Sequence, residues 1–338
     1  MTLFVPAEWS PHRAMWLGWP SHPELWEENL EPARAEVAAL AAALAGPGQE
    51  RVRLLVHGDE AEGAARARLD GIFGVELVRG DFGDIWLRDT GPIFLRAGAE
   101  AGAGERAAGF RFNGWGGKYV LEGDDRVADQ IAAAAGTPLD VHDFVLEGGA
   151  LDHDGFGAVL TTRQCLLNPN RNPGWTESDA EAALAASLGA RKVLWLGDGL
   201  MNDHTDGHVD NLARFVAPGV VACPVAFGRD DPHAEIYDDA ASRLAGMSNV
   251  RGAPLQVARI ASPGRVENDA GEVVPASHMN FIIANGAVIA PIYHEQSGGY
   301  ALEALRSLFP ERTVIGLASQ ALLTGGGSFH CITQQEPA

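Results

Sequence analysis

Cysteine is scarce: the chain has 338 residues and three cysteines, Cys165, Cys223 and Cys331. An odd count at wide spacing argues against a disulfide framework, and no Cys-x-x-Cys pair is present to hold a metal. Basic residues are in the minority, 25 Lys and Arg against 45 Asp and Glu, for a formal net charge of −20. Such a surface repels nucleic acid and anionic membrane. It tolerates a cationic substrate, though solubility alone accounts for it equally well. Long apolar runs are missing, so no stretch approaches membrane-spanning length. The Met1–Pro6 start lacks a basic segment followed by an apolar run, and no signal peptide is expected. The expected compartment is the reducing cytoplasm, where thiols stay free. Gly-x-Gly-x-x-Gly and Walker loops are absent, which removes the common nucleotide-binding signatures. With 46% hydrophobic and 21% charged residues, disorder is excluded and a sizeable core is expected.

What is present is a repeating order of elements. Residues 16–19 read as a short buried strand stopped by Pro20, and residues 24–45 as one long Ala- and Leu-rich helix ended by Gly46-Pro47-Gly48. Strand 51–57, helix 59–69 and strand 75–78 follow. Two apolar runs, 85–87 and 93–95, then flank the polar turn Arg88-Asp89-Thr90-Gly91-Pro92, and helix 124–135 comes next. Later runs are joined by Asp154-Gly155, Pro218-Gly219 and Asn285-Gly286, which is hairpin chemistry. The paired runs are 148–151 with 158–162, 208–216 with 220–224, and 277–284 with 288–293. Each hairpin is followed by a helix (177–188, 234–244, 300–308). The period is roughly 65–75 residues, which marks a repeat architecture. Counting residues 16–56 as the first copy gives about five copies, and the last run, 329–332, completes a ring. The expected fold is a single α/β domain over residues 1–338, a closed ring of ββαβ units with strands inside and helices outside. Residues 96–108, rich in Ala, Gly, Glu and Arg, read as an exposed loop inserted in a hairpin and carrying no chemistry.

Each repeat places polar residues where its first hairpin strand meets the preceding loop. In a ring those points converge on one axis, bringing together Asp89, Glu147, His208 with Asp210, and Cys331. Singly, each has a plain structural reading. Asp89 shapes a turn, Glu147 precedes two glycines, His208 packs, and Cys331 is a small buried hydrophobe. If His208–Asp210 is a strand, both side chains share one face. Taken together, the set suits attack on a resonance-stabilised cation. Carboxylates match the paired N–H donors of a guanidinium, a thiolate attacks its central carbon, and histidine carries protons near neutral pH. The glycine run Gly325-Gly326-Gly327 lets the backbone carrying Cys331 approach its neighbours closely. His204, His208 and Asp210 also permit a metal reading. However, Gly207 and the β-branched Thr205 and Val209 argue against the helix on which His-x-x-x-His works best.

Six ordered motifs resemble the agmatine deiminase family, which is grouped with the bacterial-type peptidyl-arginine deiminases. They are Trp86-Leu87-Arg88-Asp89-Thr90-Gly91-Pro92, Asn113-Gly114-Trp115-Gly116-Gly117-Lys118, Leu146-Glu147-Gly148-Gly149, Leu167-Asn168-Pro169-Asn170-Arg171-Asn172-Pro173, Asp206-Gly207-His208-Val209-Asp210-Asn211 and the segment from Gly325 through Cys331 to Pro337. Pro6-Ala7-Glu8-Trp9 matches as well, so the likeness spans nearly the whole chain. It implies the pentein fold, a five-bladed α/β propeller with pseudo-fivefold ββαβ repeats. It also implies hydrolysis of agmatine to N-carbamoylputrescine and ammonia, in the route to putrescine and polyamines, without metal or organic cofactor. By position Cys331 would be the nucleophile that forms an amidino-cysteine, and His208 the general acid and base. Asp89 and Asp210 would hold the guanidinium and Glu147 would orient the imidazole. Trp86, Trp115, His204 and Asp206 would belong to the substrate pocket.

Two positions depart from the family pattern: His204 stands where an acid facing the substrate's distal amine is usual, and Ser328 where Asn is common. Free or peptidyl arginine is therefore the runner-up substrate, since an amine needs an acid at the far end of the pocket and an α-carboxylate needs a cation. The other readings are a non-catalytic pentein that binds a partner, a metal hydrolase and an amidinotransferase. The partner expected is a small cationic guanidine, with neither nucleic acid nor membrane. A homo-oligomer is compatible with the sequence.

Overall fold

A computed structural model describes residues 3–97 and 104–338. Their strands form five separate sheets, one per repeat. In the third, Asp152–His153 runs antiparallel to Ala158–Thr162, helix Glu177–Leu188 crosses over, and Lys192–Leu196 adds in parallel. The fourth repeats this order with Arg214–Ala217, Val220–Val225, helix Ala234–Ala245 and Gln256–Ala261. The fifth uses Ile282–Ile283, Ala287–Ile292, helix Glu295–Leu308 and Thr313–Ala318. The second pairs Ile93–Ala97 with Glu105–Arg111, then passes through helix Val127–Ala135 to Leu139–Val145. Leu3–Phe4 extends its edge. A parallel neighbour lies out of reach of a tight turn, which is why every unit needs its helix.

The first sheet closes the ring. Its first strand is Thr333–Pro337, from the other end of the chain, antiparallel to His12–Gly18. Val52–Val56 and Val75–Arg79 follow in parallel. Helix Leu30–Ala45 packs on strands Ala287–Ile292 and Thr313–Ala318 of the fifth unit. There the Glu36 carboxylate accepts the Ala321 and Leu322 N–H groups at 3.1 and 2.9 Å. The sequence places the other helix ends as well. Thr176 and Asp179 form a reciprocal capping box, and Gly189 ends that helix in the left-handed region. Central strands such as Ala158–Thr162 are buried along their whole length, as parallel strands covered by helices must be. The apolar core therefore sits between each sheet and its helix, while the polar strand ends face the axis.

The five-unit α/β order agrees with the expected ring. Several boundaries differ, and most of them differ for one reason. The long helix is broken: Pro23–Trp26 and Leu30–Ala45 are separated at Glu27, whose φ is 47°. The break lets Trp26 donate to Asp84 Oδ1 at 3.1 Å. Residues 85–87 are not a hairpin strand, because Leu87–Thr90 makes a helical turn. His208 is not on a strand either. Val209–Asn211 is a 3-10 turn and the strand begins at Arg214, so the expected shared strand face of His208 and Asp210 is incorrect. Likewise Ser277 to Asn280 and Phe329 to Ile332 are turns outside the strands Ile282–Ile283 and Thr333–Pro337. In these segments side chains replace the strand ladder. Asp203 Oδ1 accepts Thr205 N–H, Thr205 Oγ1 accepts His208 N–H, and Asn280 Oδ1 accepts His330 N–H. The expected loop 96–108 shrinks too, since Arg96, Ala97 and Glu105 to Ala108 belong to strands and Ala107 and Ala108 are buried. The rest of it, 98–103, lies outside the described residues.

Candidate active site

The turns at the axis carry the expected site residues. Asp89 is the third residue of the helical turn Leu87–Thr90, and both of its oxygens are engaged. Trp115 Nε1 donates to Oδ2 at 2.9 Å and Gly149 N–H donates to Oδ1 at 2.9 Å. Gly149 has to be glycine, because a Cβ there would sit 2.5 Å from His208 Nδ1 and 2.8 Å from Asp89 Oδ1. The missing side chain lets the imidazole approach, with His208 Nδ1 3.7 Å from Asp89 Oδ1 and Nε2 3.7 Å from Glu147 Oε2. Glu147 is held from behind by Arg171, whose Nε donates to Oε1 at 2.7 Å. Arg171 in turn donates to Asn170 Oδ1, Asp206 Oδ2 and Thr205 O.

Cys331 lies on the other side of the axis. Its Sγ is 3.7 Å from Asp210 Oδ2 and 3.3 Å from Asn280 Nδ2. Asp210 Oδ2 is also paired with His330 Nδ1 at 2.9 Å, while Asp210 Oδ1 has no partner. Neither His208 ring nitrogen has a partner at hydrogen-bond distance. The glycine run does bring the chain close to aromatic rings. A Cβ on Gly325 would lie 2.8 Å from Trp26, and one on Gly327 would lie 2.5 Å from Trp86.

Above Cys331 and Asp89 opens a cleft of about 1110 Å³ of empty space, walled by Trp26, Trp86, Trp115 and Tyr119. Asp84 locks two of these walls, accepting Trp26 Nε1 and Trp86 Nε1, the latter at 2.7 Å. Glu27, Glu28 and His204 also line the cleft, and among the described residues no Arg or Lys does. His204 packs against Tyr119, its Nδ1 3.1 Å from the phenol oxygen. Of the expected residues, Cys331, Asp89, Trp86, Trp115 and His204 therefore line the cleft, and Glu147, His208 and Asp210 stand buried around it. Asp206 is a correction. It is not a lining residue, because Lys118 and Arg171 take up its carboxylate. The metal reading on His204, His208 and Asp210 also fails on geometry. Among the described residues the group of potential ligands within reach of one another is Glu147, Cys165 and His208. Arg171 already binds that carboxylate.

Electrostatics divide these groups by charge. Burial pushes the Cys331 thiol well above the usual cysteine range, and Asp210 and Asp89 push it further. Burial works against a charged His208, but Asp89, Cys165 and Glu147 outweigh it and raise the imidazole well above its usual value. Burial likewise opposes ionised Glu147 and Asp210, yet His208 with Arg171, and His330, hold them below the usual carboxylate range. Asp89 differs, since burial raises its carboxyl against the pull of His208. The resting site is thus a neutral thiol and a charged imidazole among buried carboxyl groups.

Sequence reasoning left out Asn280, Asp84, Trp26, Tyr119 and Cys165, and gave Arg171 no role. Asn280 was within reach of it. It stands just before the apolar run of the fifth repeat, the same place that yielded the other polar groups. Trp26, Asp84 and Tyr119 come from the surrounding wall, which the repeat does not mark.

Residues 4–337 match the Porphyromonas-type peptidyl-arginine deiminase family. The agmatine deiminase of Stutzerimonas stutzeri is 37% identical to this chain, over 99% of this chain and 95% of that protein. The agmatine deiminase of Ectopseudomonas mendocina is 38% identical with the same coverage. Among solved structures, the agmatine deiminase of Enterococcus faecalis superposes with a TM-score of 0.92 at 32% identity, over 99% of this chain and 96% of that one. DDAH of Pseudomonas aeruginosa shares the fold alone, with a TM-score of 0.50 at 11% identity, over 96% and 99% of the two chains.

Proposed function

The chain belongs to the Porphyromonas-type peptidyl-arginine deiminase family, and from that premise we propose that it is a hydrolase that converts agmatine to N-carbamoylputrescine and ammonia. The observation that carries this reading is the buried thiol flanked by two carboxylates at the base of an aromatic cleft. A guanidinium seated between Asp89 and Asp210 offsets both charges. The thiol then gives up its proton to solvent water in the cleft, beside the cation it is to attack. Cys331 Sγ bonds to the guanidinium carbon, His208 gives its proton to the departing nitrogen, and ammonia leaves. The amidino-cysteine remains. Neutral His208 next takes a proton from water, the water oxygen adds to the carbon, the carbon–sulfur bond breaks, and the remaining hydroxyl proton of the ureido product passes to the departing thiolate, restoring the resting thiol. Glu147, anchored by Arg171, keeps the imidazole facing this carbon. These steps balance without a metal or organic cofactor.

The cleft wall speaks for an amine at the far end of the substrate. Among the described residues its acidic side chains beyond Asp89 are Asp84, Glu27 and Glu28, with no Arg or Lys to meet an α-carboxylate. That favours agmatine over arginine, even with His204 at the rim. We also read the chain as one domain, since the first sheet needs strands from both of its ends. No described helix is long and apolar enough to cross a membrane. A cytoplasmic place, suited to a free nucleophilic thiol, is part of this proposal.

The test is ammonia and ureido-product release from agmatine, free arginine and a blocked arginine peptide at equal enzyme concentration. Preference for agmatine is expected. Preference for arginine would keep the chemistry and overturn the substrate. Release from none of the three would overturn the hydrolase reading.

A further inference from the structure

Pro6-Ala7-Glu8-Trp9 and the histidine beside the nucleophile have no part in the reaction as written, yet both are buried next to it. Glu8 reaches into the axis on the side away from the cleft. Its Oε1 accepts Ile283 N–H at 2.7 Å and its Oε2 pairs with Arg214. The same Oε2 is 3.3 Å from His330 Nε2. The other ring nitrogen of His330, Nδ1, is 2.9 Å from Asp210 Oδ2. The imidazole thus bridges two carboxylates, one fixed to the scaffold and one beside the thiol. The Asp210 carboxylate is itself divided, with Oδ2 taken by His330 and Oδ1 buried without a partner. A buried carboxylate oxygen left unsatisfied is costly, and it is tolerated where a ligand completes it.

We propose that His330, braced by Glu8, is a positioning residue that holds Asp210 with one oxygen bound and the other presented to the substrate guanidinium. The inference rests on the deiminase reading for what Asp210 binds, but the arrangement itself is independent of it. Without His330, Asp210 can turn Oδ2 elsewhere, and the cation loses an oriented acceptor. The backbone is already held by other groups. Asn280 Oδ1 takes the His330 and Cys331 N–H groups and Arg88 N–H donates to Cys331 O. The His330 side chain is thus free to be tested for its effect on Asp210.

The experiment compares His330→Ala, His330→Asn and Glu8→Gln with the wild-type enzyme. Asparagine can place an amide N–H near Nδ1, so it keeps the bond to Asp210 and drops the brace. For His330→Ala, KM for agmatine is expected to rise about 10- to 100-fold, the range of a lost hydrogen bond to a charged group, with a smaller fall in kcat. His330→Asn should recover most of that loss. Glu8→Gln should raise KM less than His330→Ala does. Equal kinetics for the Ala and Asn variants, or a fall in kcat with KM unchanged, would overturn the proposal. Crystal structures of the Ala and Asn variants separate this outcome from a failure of the substrate assignment. Asp210 should be displaced in the first and restored in the second, whichever guanidine is turned over. An unmoved Asp210 in the Ala variant would overturn the role directly.

Discussion

Two clusters of buried charge lie within this ring, and they are finished differently. Around Arg214 nearly everything is paired. Nε donates to Asp152, Nη1 to the carbonyls of Phe281 and Met279, and Nη2 to Glu8, while the guanidinium lies 5.0 Å over the Phe281 ring. Around the cleft the groups are equally buried, but His208 has neither nitrogen satisfied and Asp210 keeps a free oxygen. The 3.7 Å separations from His208 to Asp89 and Glu147 are contacts between charges that fall short of hydrogen bonds. Complete pairing marks the first cluster as scaffold. Incomplete pairing, sustained by a surrounding scaffold, marks the second as a place prepared for another molecule.

The contrast breaks most sharply at the thiol. Cys331→Ala is expected to reduce ammonia release roughly 10³-fold or more, because no second group takes over a lost nucleophile. Its thermal midpoint should stay within a few degrees of wild type. Substantial turnover by verified Cys331→Ala protein would mean that the unpaired cluster is not the reactive one. At the other pole, Arg214→Met should act on stability. It leaves Glu8 and Asp152 buried without their cation, for which a loss of about 3–5 kcal/mol is expected in urea unfolding. An unchanged urea midpoint would remove the scaffold assignment.

The pH response sharpens the comparison further. The thiol of the free enzyme is raised by burial and by Asp210 and Asp89. Iodoacetamide should therefore label Cys331 slowly at neutral pH and faster as pH rises through an alkaline midpoint above that of an ordinary thiol. Asp89→Asn removes one of the two negative charges, so that midpoint should move to lower pH. In the same variant His208 loses the carboxylate that does most to raise it, and the basic limb of the pH–rate profile should also move down. A labelling midpoint unchanged in Asp89→Asn would show that Asp89 does not act on the thiol.

How much of this was legible beforehand follows from where periodicity operates. The ring of five units could be read because Asp-Gly, Pro-Gly and Asn-Gly turns and apolar runs recur at a fixed period, and closure by the last run follows from the count, although the closing strand is Thr333–Pro337 and not the expected 329–332. That Cys331, His208, Asp89, Asp210 and Glu147 come together could be read for the same reason, since they are the polar residues at equivalent points. The backbone that carries them was not. Strand patterning extends naturally through His208, but the Thr205 and Asp203 side chains take over its backbone hydrogen bonds and bend it into a turn. Arg171 and Asp206 illustrate a different limit. Both sit in recognisable motifs, but pairing between residues 35 apart leaves no trace in spacing. Asp206 therefore reads from the sequence as a pocket residue, whereas its carboxylate is held by Lys118 and Arg171.

The smallest expected effect distinguishes the two remaining cysteines, Cys165 and Cys223. Cys223 is packed in the strand Val220–Val225, and burial pushes its thiol up to about 11. Cys223→Ala should lose about 1–2 kcal/mol of stability to the cavity it leaves, with kcat unchanged. Cys165 is as deeply buried, but its Sγ lies 3.8 Å from Glu147 Oε2, and that carboxylate, the thiol and the His208 imidazole form one cluster. Cys165 is also among the groups that raise the His208 imidazole, while burial and Glu147 push its own thiol up. Cys165→Ala should therefore lower the pH at which kcat falls on the basic side, because His208 gives up its proton earlier, while changing kcat at neutral pH only a few-fold. Overlaid pH–rate profiles for wild type and Cys165→Ala would place Cys165 with Cys223 in the packed scaffold. A shifted basic limb would draw the boundary of the reactive cluster one residue further out.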